Sequence, residues 1–239
     1  MEKRKKLMLL QVTDSVFPIG AYSHSYGLET YIQKNLICGA QDAWNYLLQS
    51  LRFPLVYTEL LGMRLVFEAV AAKDWEKAAR LELLVQAAKI PMETRTASQK
   101  MAARFIKTVE PLLEGVEAEW FLGYVRGGVR TGGKQDGAAL SHMVNGAYGA
   151  FGAAVGIDLE ELMTCYLYSQ VSAITVNCVK TIPLSQTDGQ RLLYRSLPFQ
   201  EEAVQKALNA PESWLGLSLP GFDIRCMEHE GLYSRLYMS

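Results

Sequence analysis

The stretch from Asp158 to Lys180 reads DLEELMTCYLYSQVSAITVNCVK. Its apolar side chains recur every three or four residues, which is the period of an α-helix with one buried face. They are Leu159, Leu162, Met163, Tyr166, Leu167, Val171 and Ile174. Asp158, followed three residues later by Glu161, resembles a capping box at a helix N-terminus. The stretch predicts a helix over 158–180, and residues 174–179, which alone could form a strand, continue the same stripe.

Three further segments show the same helical period. They are residues 42–71, 74–89 and 93–109. Pro54 and Pro91 interrupt or separate these stripes, because proline lacks the backbone donor and clashes with the preceding turn. The stripes therefore predict helices that are broken or separated at the two prolines.

Small residues dominate the segment 136–156. Its regularly spaced glycines are Gly146, Gly149, Gly152 and Gly156. Such spacing predicts a helix that a neighbouring backbone approaches closely, at some cost in intrinsic helicity. No alternating strand pattern competes convincingly with the predicted helices. The sequence therefore predicts an all-α fold, a single-domain helical bundle of roughly ten helices that spans residues 1–239.

The composition excludes several classes of function. The 239 residues are 49% hydrophobic, which is enough for a substantial core. The 24 Lys and Arg residues nearly balance the 25 Asp and Glu residues, so no global field attracts nucleic acid or an anionic membrane. The longest weakly polar stretch, 143–157, is shorter than the ~20 residues of a membrane span. We therefore expect neither nucleic acid nor membrane as a partner.

Cysteine usage and the N-terminus indicate the compartment. No Cys-x-x-Cys pair occurs, which argues against a zinc knuckle, a redox pair or a disulfide framework and favours a reducing cytosol. The cysteines are Cys38, Cys165, Cys178 and Cys226. The basic start, MEKRKKLMLLQ, imitates a signal peptide, but its apolar run is too short and no small-residue cleavage site follows. We expect a cytoplasmic protein.

One segment imitates a phosphate-binding loop. Residues 128–134 fit the Gly-x4-Gly-Lys pattern, but Gln135 follows where that loop needs Ser or Thr for magnesium, and no strand precedes it. A solvated loop between helices explains the segment better. No nucleophile, base and orienting group emerge as a set elsewhere. We therefore predict that the protein is not an enzyme and has neither catalytic nor cofactor-binding residues.

The histidines give no sign of a metal site. His24, His142 and His229 stand far apart, and none has the His-x3-His or His-Glu-x-x-His spacing of metal ligands. We predict no metal-binding residues. The alternative is a nickel-binding carrier, because His229 beside Cys226 could bind a soft divalent ion and dimerisation could bring two such tails together.

The C-terminal residues 229–239 read HEGLYSRLYMS. In this tail, tyrosine, leucine and methionine side chains surround one guanidinium, that of Arg235. Aromatic residues, Met and Arg are enriched in the centres of protein interfaces. One interpretation is a tail that folds back on its own core, and the other is a segment that binds a partner.

Two further segments support the second interpretation. Residues 17–29 read FPIGAYSHSYGLE, and residues 180–191 read KTIPLSQTDGQR. Together with the tail they match, in order and at suitable distances, the motifs of UreF, a family of urease accessory proteins. The motifs extend from residue 17 to residue 239, so the resemblance covers essentially the whole chain.

The resemblance implies a function and an assembly. It implies an all-helical, non-enzymatic protein that bridges a UreD/UreH-type accessory protein and the GTPase UreG. It also implies that this protein regulates GTP-dependent nickel insertion into the urease apoprotein. A homodimer is implied as well, with residues 1–12 and 226–239 as flexible termini that become ordered against a partner.

The resemblance also implies which residues bind partners. Tyr22 and Arg235 resemble the residues that recruit the GTPase, and Lys180 occupies a basic position linked to control of the GTPase. A local alternative for Lys180 is that it complements the negative end of a helix dipole. The predicted partner-binding set is Tyr22, His24, Glu29, Lys180, Tyr233, Arg235, Leu236 and Tyr237.

Overall fold

The computed structural model describes residues 2–127 and 141–238. Eleven α-helices and no β-strand occur in these two ranges, which confirms the predicted all-α bundle of about ten helices. The α-helices are α1 (Lys3–Thr13), α2 (Leu28–Gln33), α3 (Ala40–Arg52), α4 (Leu61–Ala71), α5 (Trp75–Ala88), α6 (Met92–Val109), α7 (Gly115–Gly127), α8 (Val144–Val155), α9 (Leu159–Thr181), α10 (Gln186–Asn209) and α11 (Pro220–Glu228). A π-helix and short 3-10 helices join them at Pro54–Leu60, Ala21–Ser23, Glu110–Leu112, Glu212–Trp214 and His229–Gly231.

The prediction for residues 158–180 is confirmed by α9. The Asp158 side chain accepts a hydrogen bond from the backbone N–H of Glu161 at 3.1 Å, which satisfies a free donor at the start of the helix. Residues 174–179 belong to the helix as predicted. α9 packs against α10, and its C-terminal turn contains Lys180.

The two prolines act as predicted. α3 ends at Arg52, just before Pro54, and the chain continues as a π-helix rather than as an uninterrupted α-helix. Pro91 has an extended backbone and caps the start of α6. The sequence analysis did not predict the start of α10, where the Ser185 and Asp188 side chains form a capping box at the helix N-terminus.

α8 lies at the centre of the molecule, and all its residues are buried. A Cβ atom at Gly149 would lie 2.4 Å from the carbonyl oxygen of Met63, so glycine there lets the backbones of α4 and α8 touch. Residues 136–140 of the predicted helix lie outside the described residues, and the prediction is wrong for residues 141–143, which are not helical. Met143 has an extended backbone, and its N–H donates to the Glu82 carboxylate at 2.7 Å instead of to a carbonyl oxygen of the preceding turn.

Most of the buried apolar side chains in the described ranges form one connected cluster, which runs from Leu9 of α1 to Ala210 after α10. The N-terminal helix contributes Leu9 and Val12 to that cluster. No helix among these residues has both the length and the apolar character needed to cross a bilayer. The single-domain organisation and the flexibility of the termini stay predictions.

Glu82 joins three helices from a fully buried position. Glu82 lies on α5, and its carboxylate accepts hydrogen bonds from the hydroxyl of Tyr124 on α7 at 2.5 Å and from the N–H of Met143 before α8 at 2.7 Å. Burial raises the pKa of Glu82 to about 7, although the two hydrogen bonds and the charge of Lys89 act in the opposite direction.

We expect the pH dependence of stability between about pH 4.5 and about pH 7 to depend on this carboxyl group. Because the pKa of Glu82 is higher in the folded chain than its ordinary value of 4.5, the protonated group stabilises the fold at low pH, and this contribution is lost as the pH rises through about 7. Glu82→Gln, which cannot ionise, should therefore reduce the fall in Tm across this range. Glu230→Gln, on the surface, is the control, and an equal slope in both variants would contradict the assignment.

Candidate functional site

Residues 17–29, which we call the Tyr22 segment, form a turn, a 3-10 helix and the start of α2. Gly20 and Gly27 adopt left-handed backbone conformations, with φ of 83° and 82°. At Gly27 a Cβ atom would also lie 2.8 Å from the sulfur of Cys226, so the turn packs directly on α11. The Tyr22 ring is 73% exposed, which leaves this aromatic side chain on the surface of a well-defined turn.

Two side chains from other helices hold the Tyr22 segment by its backbone. Asn177 of α9 donates to the carbonyl oxygen of His24 at 2.9 Å, and the Tyr46 hydroxyl of α3 donates to the carbonyl oxygen of Tyr26 at 3.0 Å. Lys180 follows Asn177 by three residues and is exposed in the last turn of α9. The structure therefore brings Lys180 to the helix end that contacts the Tyr22 segment.

Glu29 anchors the C-terminal tail. Its two carboxylate oxygens accept the backbone N–H groups of Leu236 at 2.7 Å and Tyr237 at 3.2 Å. Glu29 is the last residue of the Tyr22 segment and is buried in the first turn of α2. A buried carboxylate is stable only when it is paired or hydrogen-bonded, and here the main chain of the tail supplies these partners.

His229 joins Glu29 to a second carboxylate. Its ring is fully buried, with Nε2 3.2 Å from Glu29 and Nδ1 2.6 Å from Glu93 of α6. Arg235 donates to the other oxygen of Glu93 at 2.7 Å. Two carboxylates, one imidazole and one guanidinium thus form a charged cluster that fixes the tail against α2 and α6.

Further bonds extend the docked tail in both directions. The N–H of Met238 donates to the carbonyl oxygen of Ser23 at 2.8 Å, and the amide of Gln33 donates to the carbonyl oxygen of Ser234 at 2.8 Å. The Tyr237 ring is 9% exposed and packs inside. The tail therefore folds back on its own core, as one of the two interpretations predicted.

The same docking leaves other tail side chains in solvent. Leu236 is 78% exposed, Tyr233 is fully exposed, and Met238 is also largely exposed beside the Tyr22 segment. Of the predicted partner-binding set, Tyr22, Lys180, Tyr233, Arg235 and Leu236 reach the surface. The remaining members, which are His24, Glu29 and Tyr237, are buried.

The cluster offers little to a metal ion. Both ring nitrogens of His229 already face carboxylates, and these carboxylates lie on opposite sides of the ring rather than around one point. Burial raises the pKa of the Cys226 thiol to about 12, which disfavours the thiolate that would bind a soft ion. In residues 2–127 and 141–238 no group of three or more His, Cys, Asp or Glu residues is arranged to hold a metal.

The electrostatics beside Tyr22 favour a neutral imidazole. Desolvation, followed by the charge of Lys100, lowers the pKa of His24, and Glu93 opposes the shift.

The segment 128–134, which imitates a phosphate-binding loop, lies outside the described residues.

Sequence reasoning missed two residues that build this site. Glu93 receives both His229 and Arg235, and Asn177 holds the Tyr22 segment. Neither belongs to the motifs quoted above for residues 17–29 or for the tail. Each acts on a residue more than a hundred positions away in the chain, so no local pattern could have indicated its role.

The sequence model of one protein family, UreF, matches residues 37–197, which is more than half of the 239 residues. The match covers the chain from α3 into α10. It therefore includes Lys180 and most of the helical core, while the Tyr22 segment and the tail lie on either side of it. The chain belongs to the UreF family of urease accessory proteins.

Proposed function

We propose that the protein is a non-enzymatic scaffold that bridges a UreD/UreH-type accessory protein and the GTPase UreG. In this role it regulates GTP-dependent nickel insertion into the urease apoprotein. The proposal includes a cytoplasmic location and a homodimer, and it treats nickel as cargo of the complex rather than as a ligand of this chain.

One observation carries the proposal. Met238 is exposed and bonds through its N–H to Ser23, next to the exposed Tyr22, and the same docked tail leaves Tyr233 and Leu236 in solvent. We call these four residues the partner surface. Clustered exposed apolar side chains mark interaction sites more often than isolated ones do, and tyrosine and methionine are enriched at interface centres.

Arg235 and Lys180 supply charge near the partner surface. Arg235 is partly exposed while it binds Glu93, so it both fixes the tail and remains available to a partner. Lys180 is exposed, and no carboxylate in the described ranges forms an ion pair with it. A cation without an intramolecular partner suits a role in contacting or controlling the GTPase, which supports the assignment from the family resemblance.

The variant Arg235→Ala is expected to weaken UreG recruitment while the helical fold is retained. Truncation of an interface arginine commonly costs more than about 1 kcal/mol, which corresponds to a Kd at least about fivefold higher. The measurement is the Kd of UreG for the complex of this protein with the UreD/UreH-type subunit, with GTP and nickel present. Circular dichroism checks that helicity is unchanged.

The matched control is Arg4→Ala. Arg4 also forms an exposed ion pair, with Glu117, but lies on α1 rather than in the tail. Equal UreG affinity for the wild-type protein and Arg235→Ala would contradict the role of Arg235. If size exclusion with light scattering detects no complex of the wild-type protein with either partner under any of these conditions, the scaffold proposal is wrong.

A further inference from the structure

A groove runs between α6 and the Tyr22 segment. Its volume is about 240 Å³, and it adjoins the partner surface through Met238. Its lining includes Ser23, His24, Thr96, Lys100, Arg104 and Met238. We call it the α6 groove.

Two cations of α6 line this groove. Lys100 and Arg104 are four residues apart on one helix, so their side chains project from the same face. Neither forms an ion pair with a carboxylate in residues 2–127 or 141–238. Glu93 also lines the groove, but its two oxygens already bind His229 and Arg235. The groove is therefore positively charged.

The position of Arg104 is defined by the Tyr22 segment. Its Nη1 atom lies 3.0 Å from the place where a Cβ atom of Gly20 would be, so the guanidinium packs against the glycine backbone. Lys100 acts on the opposite wall, where its charge contributes to the lowered pKa of His24. The two cations thus face the part of the Tyr22 segment next to the exposed Tyr22 ring.

We propose that the α6 groove binds an acidic segment of a partner protein, whose carboxylates pair with Lys100 and Arg104. Apolar side chains flank the charged part, since Met92 and Met238 are both exposed at the groove. Such a mixture of arginine, methionine and tyrosine is typical of protein interfaces. The net charge of the protein is only −1, and two cations line the groove. Because nucleic-acid binding depends on neutralising several phosphates, these charges favour an acidic peptide over nucleic acid.

This inference rests on the proposed function, because the acidic segment is assigned to one of the two accessory partners. The test compares the double variant Lys100→Glu/Arg104→Glu with a control of equal charge change, Lys73→Glu/Lys77→Glu. In the control, Lys73 lies just before α5 and Lys77 lies on it. The Kd of each variant for the UreD/UreH-type protein and for the UreG-type complex is measured at about 50 mM and about 500 mM NaCl.

For one partner the groove variant should bind at least about tenfold more weakly than the control at low salt, and the difference should shrink at high salt because screening weakens exposed charge pairs. Equal affinities of the two variants would overturn the inference. A loss that is independent of salt would overturn it as well, since it would indicate an altered fold rather than a lost charge pair.

A second measurement separates this inference from the scaffold proposal. If the wild-type protein binds neither accessory partner, the scaffold proposal fails, and the groove is tested with a fluorescein-labelled peptide, Glu-Glu-Phe-Glu-Glu-Leu, by anisotropy at low salt. Binding by the wild-type protein and the control but not by the groove variant supports the inference. Absence of binding, or tighter binding of a single-stranded oligonucleotide of roughly 20 nucleotides, overturns it.

Discussion

Replacing Arg64 by methionine is expected to lower the free energy of unfolding by about 3 kcal/mol, the loss typical when one partner of a buried charged interaction is removed. Arg64 lies on α4 and is almost fully buried. Its guanidinium donates to three carbonyl oxygens at the C-terminal end of α10, those of Ala207 at 3.0 Å, Leu208, and Ala210 at 2.7 Å.

The physical reason is the chemistry of a helix end. The last carbonyl groups of an α-helix have no intrahelical donor, and an unpaired buried carbonyl costs free energy comparable to a lost hydrogen bond. Arg64 serves as the donor for the end of α10 and also places a cation at the negative end of the helix dipole. Methionine fills a similar volume but donates nothing, so the carbonyl groups would be left without this partner.

The measurement is thermal and urea unfolding, with Arg80→Met as the matched control. Arg80 forms an ion pair with Glu212 in which both side chains are exposed, and such pairs contribute less than about 1 kcal/mol. For a chain of this length a loss of about 3 kcal/mol corresponds to a fall in Tm of roughly 6–12 °C. Similar losses in both variants would show that Arg64 does not stabilise the end of α10.

The second large effect is expected for Glu29→Ala, which should release the C-terminal tail. The variant removes the acceptor of the Leu236 and Tyr237 N–H groups and one of the two carboxylates at His229. Breaking such a buried charged cluster costs about 3 kcal/mol, which corresponds to a shift of roughly a hundredfold in the docking equilibrium. Most of the bundle should stay folded, because no residue of the tail belongs to the core cluster.

Amide hydrogen exchange measures this release directly. The protection of the Leu236 and Tyr237 amides should fall by up to about a hundredfold in Glu29→Ala, while the amides of α8 keep theirs. Glu230→Ala is the matched control, because Glu230 is an exposed carboxylate of the same segment. Unchanged protection in Glu29→Ala would show that the tail is held by contacts other than Glu29.

The sequence predicted the elements whose cause is local. The helix α9 (Leu159–Thr181) follows from the spacing of its apolar residues and from its Asp158 cap, and both are visible within one segment of the sequence. The start of α8 could not be predicted in this way, because Met143 is held extended by Glu82, which lies sixty-one positions earlier. A periodic pattern contains no information about such a distant acceptor.

The same distinction applies to the candidate site. The segments that meet, 17–29 and the tail, are both visible in the sequence as unusual local compositions. Their mutual arrangement depends on Glu93 and Asn177, which are ordinary polar residues within helical stripes. Only the fold shows that these side chains point at the tail and at the Tyr22 segment.

The bonds between Glu29 and the tail have a consequence for sequence variation. Both carboxylate oxygens bind main-chain N–H groups, while the Leu236 side chain points into solvent. The bond to Glu29 therefore does not depend on which side chain residue 236 carries. Only proline is excluded there by the bond itself, because it lacks the N–H. The outward chemistry of the tail can diverge among homologous chains, and with it the choice of partner, without any change in how the tail is attached.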